Sequence, residues 1–245
     1  VLSSIGGSTN GLVHLTAMAG RLGITIDLIK FDEITKNLPM IVDLKPSGTG
    51  YMEDLYKAGG SQRIFYELRD FLYLDAKSVN GTTLGEEIKN SAKWTQDIIT
   101  DKSNPVFNAG SIAVLKGTLA PNSAIIKQSA ATESLLIHEG RAVVFEGLED
   151  LANKIDRDDL DVTKDDVLVL KSIGPKGGPG MPEAGLIPIP KKLARQGVKD
   201  MVRISDGRMS GTASGTIILH VTPESYENGP LAIVQNGDII KLDVP

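Results

Sequence analysis

Ile204 to Thr216 reads ISDGRMSGTASGT, with five hydroxyl side chains, one acid, one arginine and three glycines in thirteen residues. The apolar segment Met201–Ile204 feeds it and Thr216–Leu219 leaves it. Gly and Ser at this density oppose a helix interior, so the stretch is expected as a loop held between two strands. Such loops bring backbone amides and hydroxyls to ligands, although an ordinary tight turn has the same composition. A second loop of this kind, GPKGGPGMPE, runs from Gly174 to Glu183, again between apolar segments.

Around these loops the period is that of short strands. Ser111–Leu115, Ala124–Lys127, Gly140–Phe145, Val167–Leu170, Val202–Ile204, Thr216–Leu219, Leu231–Val234 and Ile239–Leu242 are apolar or alternating runs, many of them separated by Gly, Asn, Asp or Pro. Asn236-Gly237-Asp238 reads as a hairpin turn between the last two. Gly147–Asp156 and Ile187–Gln196 read as helices inserted among the strands. The region is expected to form a barrel or sandwich.

The first hundred residues differ. IGGSTN, Ile5–Asn10, precedes a helical pattern from Leu12 to Leu22, with Ser8, Thr9 or Asn10 as its cap and Gly23 as its end. A second helix is expected over Leu28–Leu38, capped by Asp27, then a strand over Met40–Leu44. The polar loop DLKPSGTGY follows, in which Lys45 and Ser47 can meet an anion or simply be solvated. Further helices are expected over Met52–Gly59, Gly60–Leu74 and Thr83–Ala92, the last opening with Thr83 and Glu86 as a capping box. The pattern then dissolves beyond Trp94, the single tryptophan, and a domain boundary is placed near residue 100.

Composition limits the chemistry. The 245 residues carry 26 Lys and Arg against 31 Asp and Glu, a net charge of -5, which disfavours nucleic acid as a partner. No stretch approaches the roughly 18 apolar residues of a membrane span. There is no cysteine, hence no disulfide, thiolate nucleophile or sulfur ligand from this chain. His14, His138 and His220 lie far apart, so any metal is expected to be a hard cation on oxygen. Glu183 can be such a ligand or merely a helix-entry acid. Ser210 can act as a base only if a cation lowers its pKa. Asp206 and Arg208 can pair or orient the loop, and Lys176 can meet a carboxylate or face solvent. The start, Val1-Leu2-Ser3, lacks both an initiator Met and a signal-peptide pattern, and the end reads as a strand cut short, so a piece of a longer, cytoplasmic protein is expected.

Six segments in order resemble the dihydroxy-acid dehydratase and phosphogluconate dehydratase family: GGSTN at Gly6–Asn10, DLKPSG at Asp43–Gly48, GGPGMPE at Gly177–Glu183, SDGRMSGT at Ser205–Thr212, HVTPES at His220–Ser225 and GPLAIVQNGDII at Gly229–Ile240. Gly185–Thr216 and Ala130–Glu146 are similar to the sugar-acid branch, the L-arabinonate and D-xylonate dehydratases. The resemblance implies an α/β N-terminal remnant over 1–100, followed over 101–245 by a mainly β, barrel-like domain of the swivelling β/β/α type. It implies a hydro-lyase that converts an aldonate to a 2-keto-3-deoxy acid, as a homodimer or dimer of dimers. Ser210 would be the base that removes the C2 proton, Thr212 a substrate hydrogen-bonding residue, and Glu183 a magnesium ligand. An iron–sulfur cluster, [2Fe–2S] in this branch, would take the C3 hydroxyl. Its cysteines are absent here, so the isolated chain is expected to be inactive. The alternatives are a dihydroxy-acid dehydratase of branched-chain amino-acid synthesis and a non-catalytic module that keeps the fold.

Overall fold

A computed structural model describes residues 1–91 and 96–245. Trp94 and the expected helix end at Ala92 lie outside the described residues. In chain order the elements are α1 (Thr9–Arg21), α2 (Leu28–Lys36), α3 (Met52–Lys57), α4 (Gly60–Glu67), α5 (Leu84–Ile88), β1 (Ala113–Leu115), β2 (Ser123–Ile126), β3 (Ile137–Phe145), α6 (Leu148–Lys154), β4 (Val167–Leu170), α7 (Lys191–Ala194), β5 (Arg203–Ser205), β6 (Ile217–Thr222) and β7 (Ile239–Asp243). A helical first part is thus followed by a mainly β part. The chain forms two compact units, Val1–Gly7 with Glu33–Ser111, and Ser8–Asp32 with Ile112–Pro245. The second unit takes α1 from the start of the chain, where the sequence suggests two consecutive pieces meeting near residue 100.

The first unit is small. Ile41, Val42, Ala58, Ile64, Leu68 and Ile99 form its core. The strand expected over Met40–Leu44 is reduced to isolated bridges, Met40 to Phe107, Val42 to Ile99 and Leu44 to Gly50, because each partner segment offers only single pairings. The helix expected to run to Leu74 stops at Glu67, and a 3-10 turn over Arg69–Phe71 follows. The capping box is formed: Glu86 N donates to Thr83 Oγ1 at 3.2 Å and Thr83 N to Glu86 Oε2 at 2.7 Å.

The second unit is one seven-stranded sheet in the order β1-β2-β6-β5-β4-β3-β7. The four central strands β6, β5, β4 and β3 are mutually parallel, and β1, β2 and β7 join antiparallel. Parallel strands are covered on both faces, which explains their unbroken apolar runs. In β3, Ala142 and Val144 enter one core while Val143 and Phe145 enter the other. The first core also takes Ala113 from edge strand β1 and Ile240 and Leu242 from edge strand β7. Both edges therefore contribute to one interior, and the sheet curls as a partial barrel. The second core lies under α6 and α7 through Leu151 and Leu193.

Three expectations are corrected here. Leu231–Val234 is not a strand; Pro230 opens a 3-10 helix over Pro230–Ile233, the position where its missing N–H costs nothing. Asn236–Asp238 therefore closes no hairpin. It docks on β3 instead, with Asn236 Oδ1 accepting from Val144 N at 2.7 Å, and delivers β7 to the far side of β3. The helix expected from Ile187 begins only at Lys191: Ile187 has a φ of +26°, outside the helical region, and a residue that precedes proline, as Ile187 and Ile189 do, is disfavoured in a helix. Among the described residues no helix is long and apolar enough to cross a membrane.

Candidate active site

The site is assembled in the second unit from the loop after β4, the loop after β5 and the first turn of α1. Asp206 organises the base of the two loops. It is buried, and its carboxylate accepts from Ser172 N at 3.2 Å, Ile173 N at 3.0 Å, Ser225 N at 2.9 Å and the Ser225 hydroxyl. A buried carboxylate that accepts four hydrogen bonds from two separate segments ties those segments together, so Asp206 is a structural anchor. Glu224 does the same for the glycine-rich loop. It accepts from Lys176 N at 3.0 Å and Gly177 N at 3.1 Å, and a Cβ on Gly174 would fall 2.4 Å from its Oε2. The amides of Lys176 and Gly177 are thus committed to Glu224, and those of Gly178 and Met181 to the carbonyls of Gly174 and Gly178. Lys176 pairs with Glu227 at 2.8 Å.

Above this base, Arg208 joins the loops. Its Nε donates to the Met181 carbonyl at 2.6 Å and its Nη1 to Glu183 Oε1 at 3.1 Å, while its own carbonyl accepts from Gly185 N at 2.7 Å. Asn10 adds a third tie: its Nδ2 donates to Glu183 Oε1 at 3.2 Å and to the Met209 carbonyl at 2.9 Å. Ser210 follows Met209 directly, and its Oγ lies 3.0 Å from Thr212 Oγ1. Gly211 has no room for a side chain; a Cβ there would stand 2.9 Å from Ser8 Cβ. Ser8 is the cap of α1, accepting from Asn10 N at 3.1 Å.

The three site residues singled out in the sequence, Glu183, Ser210 and Thr212, therefore belong to one connected set, with Arg208 beside them. Lys45 and Ser47 lie in the first unit, where the Lys45 ammonium sits over the Tyr51 ring, 4.0 Å from its centroid. Residue patterns alone give Asn10 no role beyond capping, and give Glu224 none.

In the sequence His220 does not stand out from His14 and His138; in the structure it does. It sits in β6 with φ +54°, where β2 and β6 shift register. Burial, and then the Arg208 guanidinium, pull its imidazole down from 6.5 to about 4. Its Nε2 is buried with no partner among the described residues. The ring borders a largely apolar cavity of about 550 Å³ lined by Leu12, Val13, Thr16, Met181 and Glu224; Ser210, Thr212 and Glu183 do not line it.

Among the described residues no three of His, Cys, Asp and Glu gather as a metal site. Glu183 fits a cation as a single ligand. Oε1 is filled by Arg208 and Asn10, Oε2 has no hydrogen bond among the described residues, and the side chain is 42% exposed. An iron–sulfur cluster does not fit this chain, which has no thiolate to hold it.

Comparison with known proteins gives this set a context. The family model for the C-terminal part of dihydroxy-acid/6-phosphogluconate dehydratases matches residues 97–245, and the model for their N-terminal part matches residues 1–87. The chain belongs to the dihydroxy-acid/6-phosphogluconate dehydratase family. Among curated relatives, the L-arabinonate dehydratase of Rhizobium leguminosarum bv. trifolii is 47% identical over 245 residues, covering 99% of this chain and 42% of the relative. The L-arabonate dehydratase of Azospirillum brasilense is 48% identical over 244 residues, covering 98% and 42%. The dihydroxy-acid dehydratase of Methanococcoides burtonii is 41% identical over 247 residues, covering 99% and 44%. This member of the dehydratase family thus spans about two fifths of the length of these relatives.

Proposed function

We propose that this chain is part of a hydro-lyase that dehydrates a sugar acid to a 2-keto-3-deoxy acid. The observation that carries the reading is the Ser210–Thr212 hydroxyl pair, 3.0 Å apart, on a loop tied through Asn10 and Arg208 to an exposed carboxylate, Glu183. Higher identity to L-arabinonate and L-arabonate dehydratases than to a dihydroxy-acid dehydratase supports an aldonate as substrate.

In this reading Ser210 Oγ, as alkoxide, takes the C2 proton of the bound acid. The electron pair left on C2 forms the C2–C3 double bond as the C3–O bond breaks and the oxygen leaves as hydroxide. The enol then becomes the 2-keto acid by moving its oxygen-bound proton to C3. Thr212 donates its hydroxyl hydrogen to the Ser210 alkoxide and can accept a hydrogen bond from a substrate hydroxyl. Glu183 presents Oε2 to a magnesium ion. When bound, that ion would supply positive charge that favours an ionised hydroxyl. No residue of this chain is assigned to the departing hydroxide, which takes up the proton held on Ser210 and leaves as water, restoring the alkoxide. The iron–sulfur cluster that the family resemblance implies would be held by parts of the full-length protein outside this chain. The whole protein is proposed to work in the cytoplasm as a homodimer or dimer of dimers, and this chain alone to be inactive.

The test is a substrate panel on the full-length protein, purified without air and with magnesium present. Formation of 2-keto-3-deoxy acid from L-arabinonate or D-xylonate is expected. Turnover of a branched 2,3-dihydroxy acid with none of the aldonates would overturn the substrate reading, and no turnover with either class would overturn the enzyme reading.

A further inference from the structure

Asn10 touches both halves of the site. Its amide nitrogen has two hydrogens, and both are used: one on Glu183 Oε1 at 3.2 Å, the other on the Met209 carbonyl at 2.9 Å. These partners lie 173 and 199 residues away along the chain. On the other side of Ser210, Gly211 packs against Ser8 in the same helix turn. The backbone around Ser210 is therefore held on both flanks by the start of α1.

The helix does not need this side chain. Capping is complete through Ser8 Oγ and the Asn10 backbone N–H, and most side chains are tolerated in the first turn. The amide oxygen of Asn10 is buried without a partner among the described residues, an arrangement that lowers stability. A side chain selected only for folding would not strand that oxygen. What the amide gains is a donor aimed at each loop. With Arg208 also donating to Glu183 Oε1, that oxygen is filled and only Oε2 is left to face outward.

We propose that Asn10 is a positioning residue. Its amide fixes the Glu183 carboxylate and the Ser210 backbone to one helix turn, and so presents a single carboxylate oxygen to a divalent cation. This rests on the reading of Glu183 as a cation ligand. Groups that orient a ligating carboxylate in this way typically change metal affinity about 10- to 100-fold when removed.

The test uses the full-length protein stripped of divalent cations and titrated with Mn²⁺, free Mn²⁺ being read by electron paramagnetic resonance. Glu183→Ala is expected to lose the site. Asn10→Ala is expected to weaken Mn²⁺ binding about tenfold or more, with an unchanged unfolding midpoint. Asn10→Asp keeps the shape, and an acid in the first turn favours the helix, so this variant is expected to fold at least as well as the parent. It lacks the donor and sets a second negative charge against Glu183, so its Mn²⁺ binding is expected to weaken too. Lost binding in Glu183→Ala with unchanged binding in Asn10→Ala would overturn the positioning role alone. Tighter binding in Asn10→Asp would also overturn it, by making residue 10 a ligand. Unchanged binding in Glu183→Ala would overturn both this inference and the reading on which it rests.

Discussion

Acidifying the chain from pH 7 to pH 5 should cost the native state about 2 kcal/mol through His220 alone. In the folded protein its imidazole titrates at about 4, and the reference value is 6.5. Because the folded value is depressed, the unfolded chain binds more protons between those limits. The stabilisation is therefore fully present above pH 6.5, falls as pH drops through that window, and is spent below about pH 4. The full shift corresponds to about 3 kcal/mol, of which about 2 kcal/mol is lost by pH 5, before most carboxylates titrate. The assay is urea unfolding of the chain at pH 7, 6 and 5, beside His220→Asn. Asparagine is the control because it accepts the φ of +54° better than other residues and does not titrate. The parent should lose about 2 kcal/mol more than the variant over this range. Equal losses in both proteins would refute the claim that His220 is held neutral by burial beside Arg208.

Other substitutions probe the supports of the site. Gly211→Ala forces a Cβ to 2.9 Å from Ser8 Cβ and should destabilise by about 1–3 kcal/mol in chemical denaturation, with reduced turnover in the full-length protein. Asp206→Asn replaces an acceptor of four donors by a half-donor and should cost about 3 kcal/mol on the same assay; a change within experimental error would remove its anchoring role. Phe145→Ala empties a fully buried position between β3 and α6 and should cost about 3–5 kcal/mol without altering magnesium dependence in the full-length protein.

The sheet is legible in the sequence because its physics is local. Val167–Leu170 is apolar at every position, as a parallel strand covered on both faces must be, and β4 occupies those four residues. The capping signals at Ser8, Asp27 and Thr83 are legible for the same reason, since each cap is satisfied within three residues. Leu231–Val234 misleads because a short apolar run has no period of its own, and Pro230 decides its conformation. The two loops are visible as composition, but the partners of Asp206, Glu224 and Asn10 are not. Asp206 reaches Ser172 and Ile173 across 34 and 33 residues, and Asn10 reaches Glu183 across 173. Nothing in a local pattern encodes such pairings. His220 is hidden for a related reason: its charge state is set by burial and by Arg208, which the sequence does not display.

Everything proposed about the reaction depends on one oxygen, Ser210 Oγ. The decisive measurement is made on the full-length protein carrying Ser210→Ala, with an aldonate substrate in D₂O. Both 2-keto-3-deoxy acid formation and exchange of the C2 hydrogen for deuterium are followed. Loss of both, with cation binding and the unfolding midpoint unchanged, is the predicted result. Continued C2 exchange at the parent rate would show that another group takes the proton, and would contradict the account.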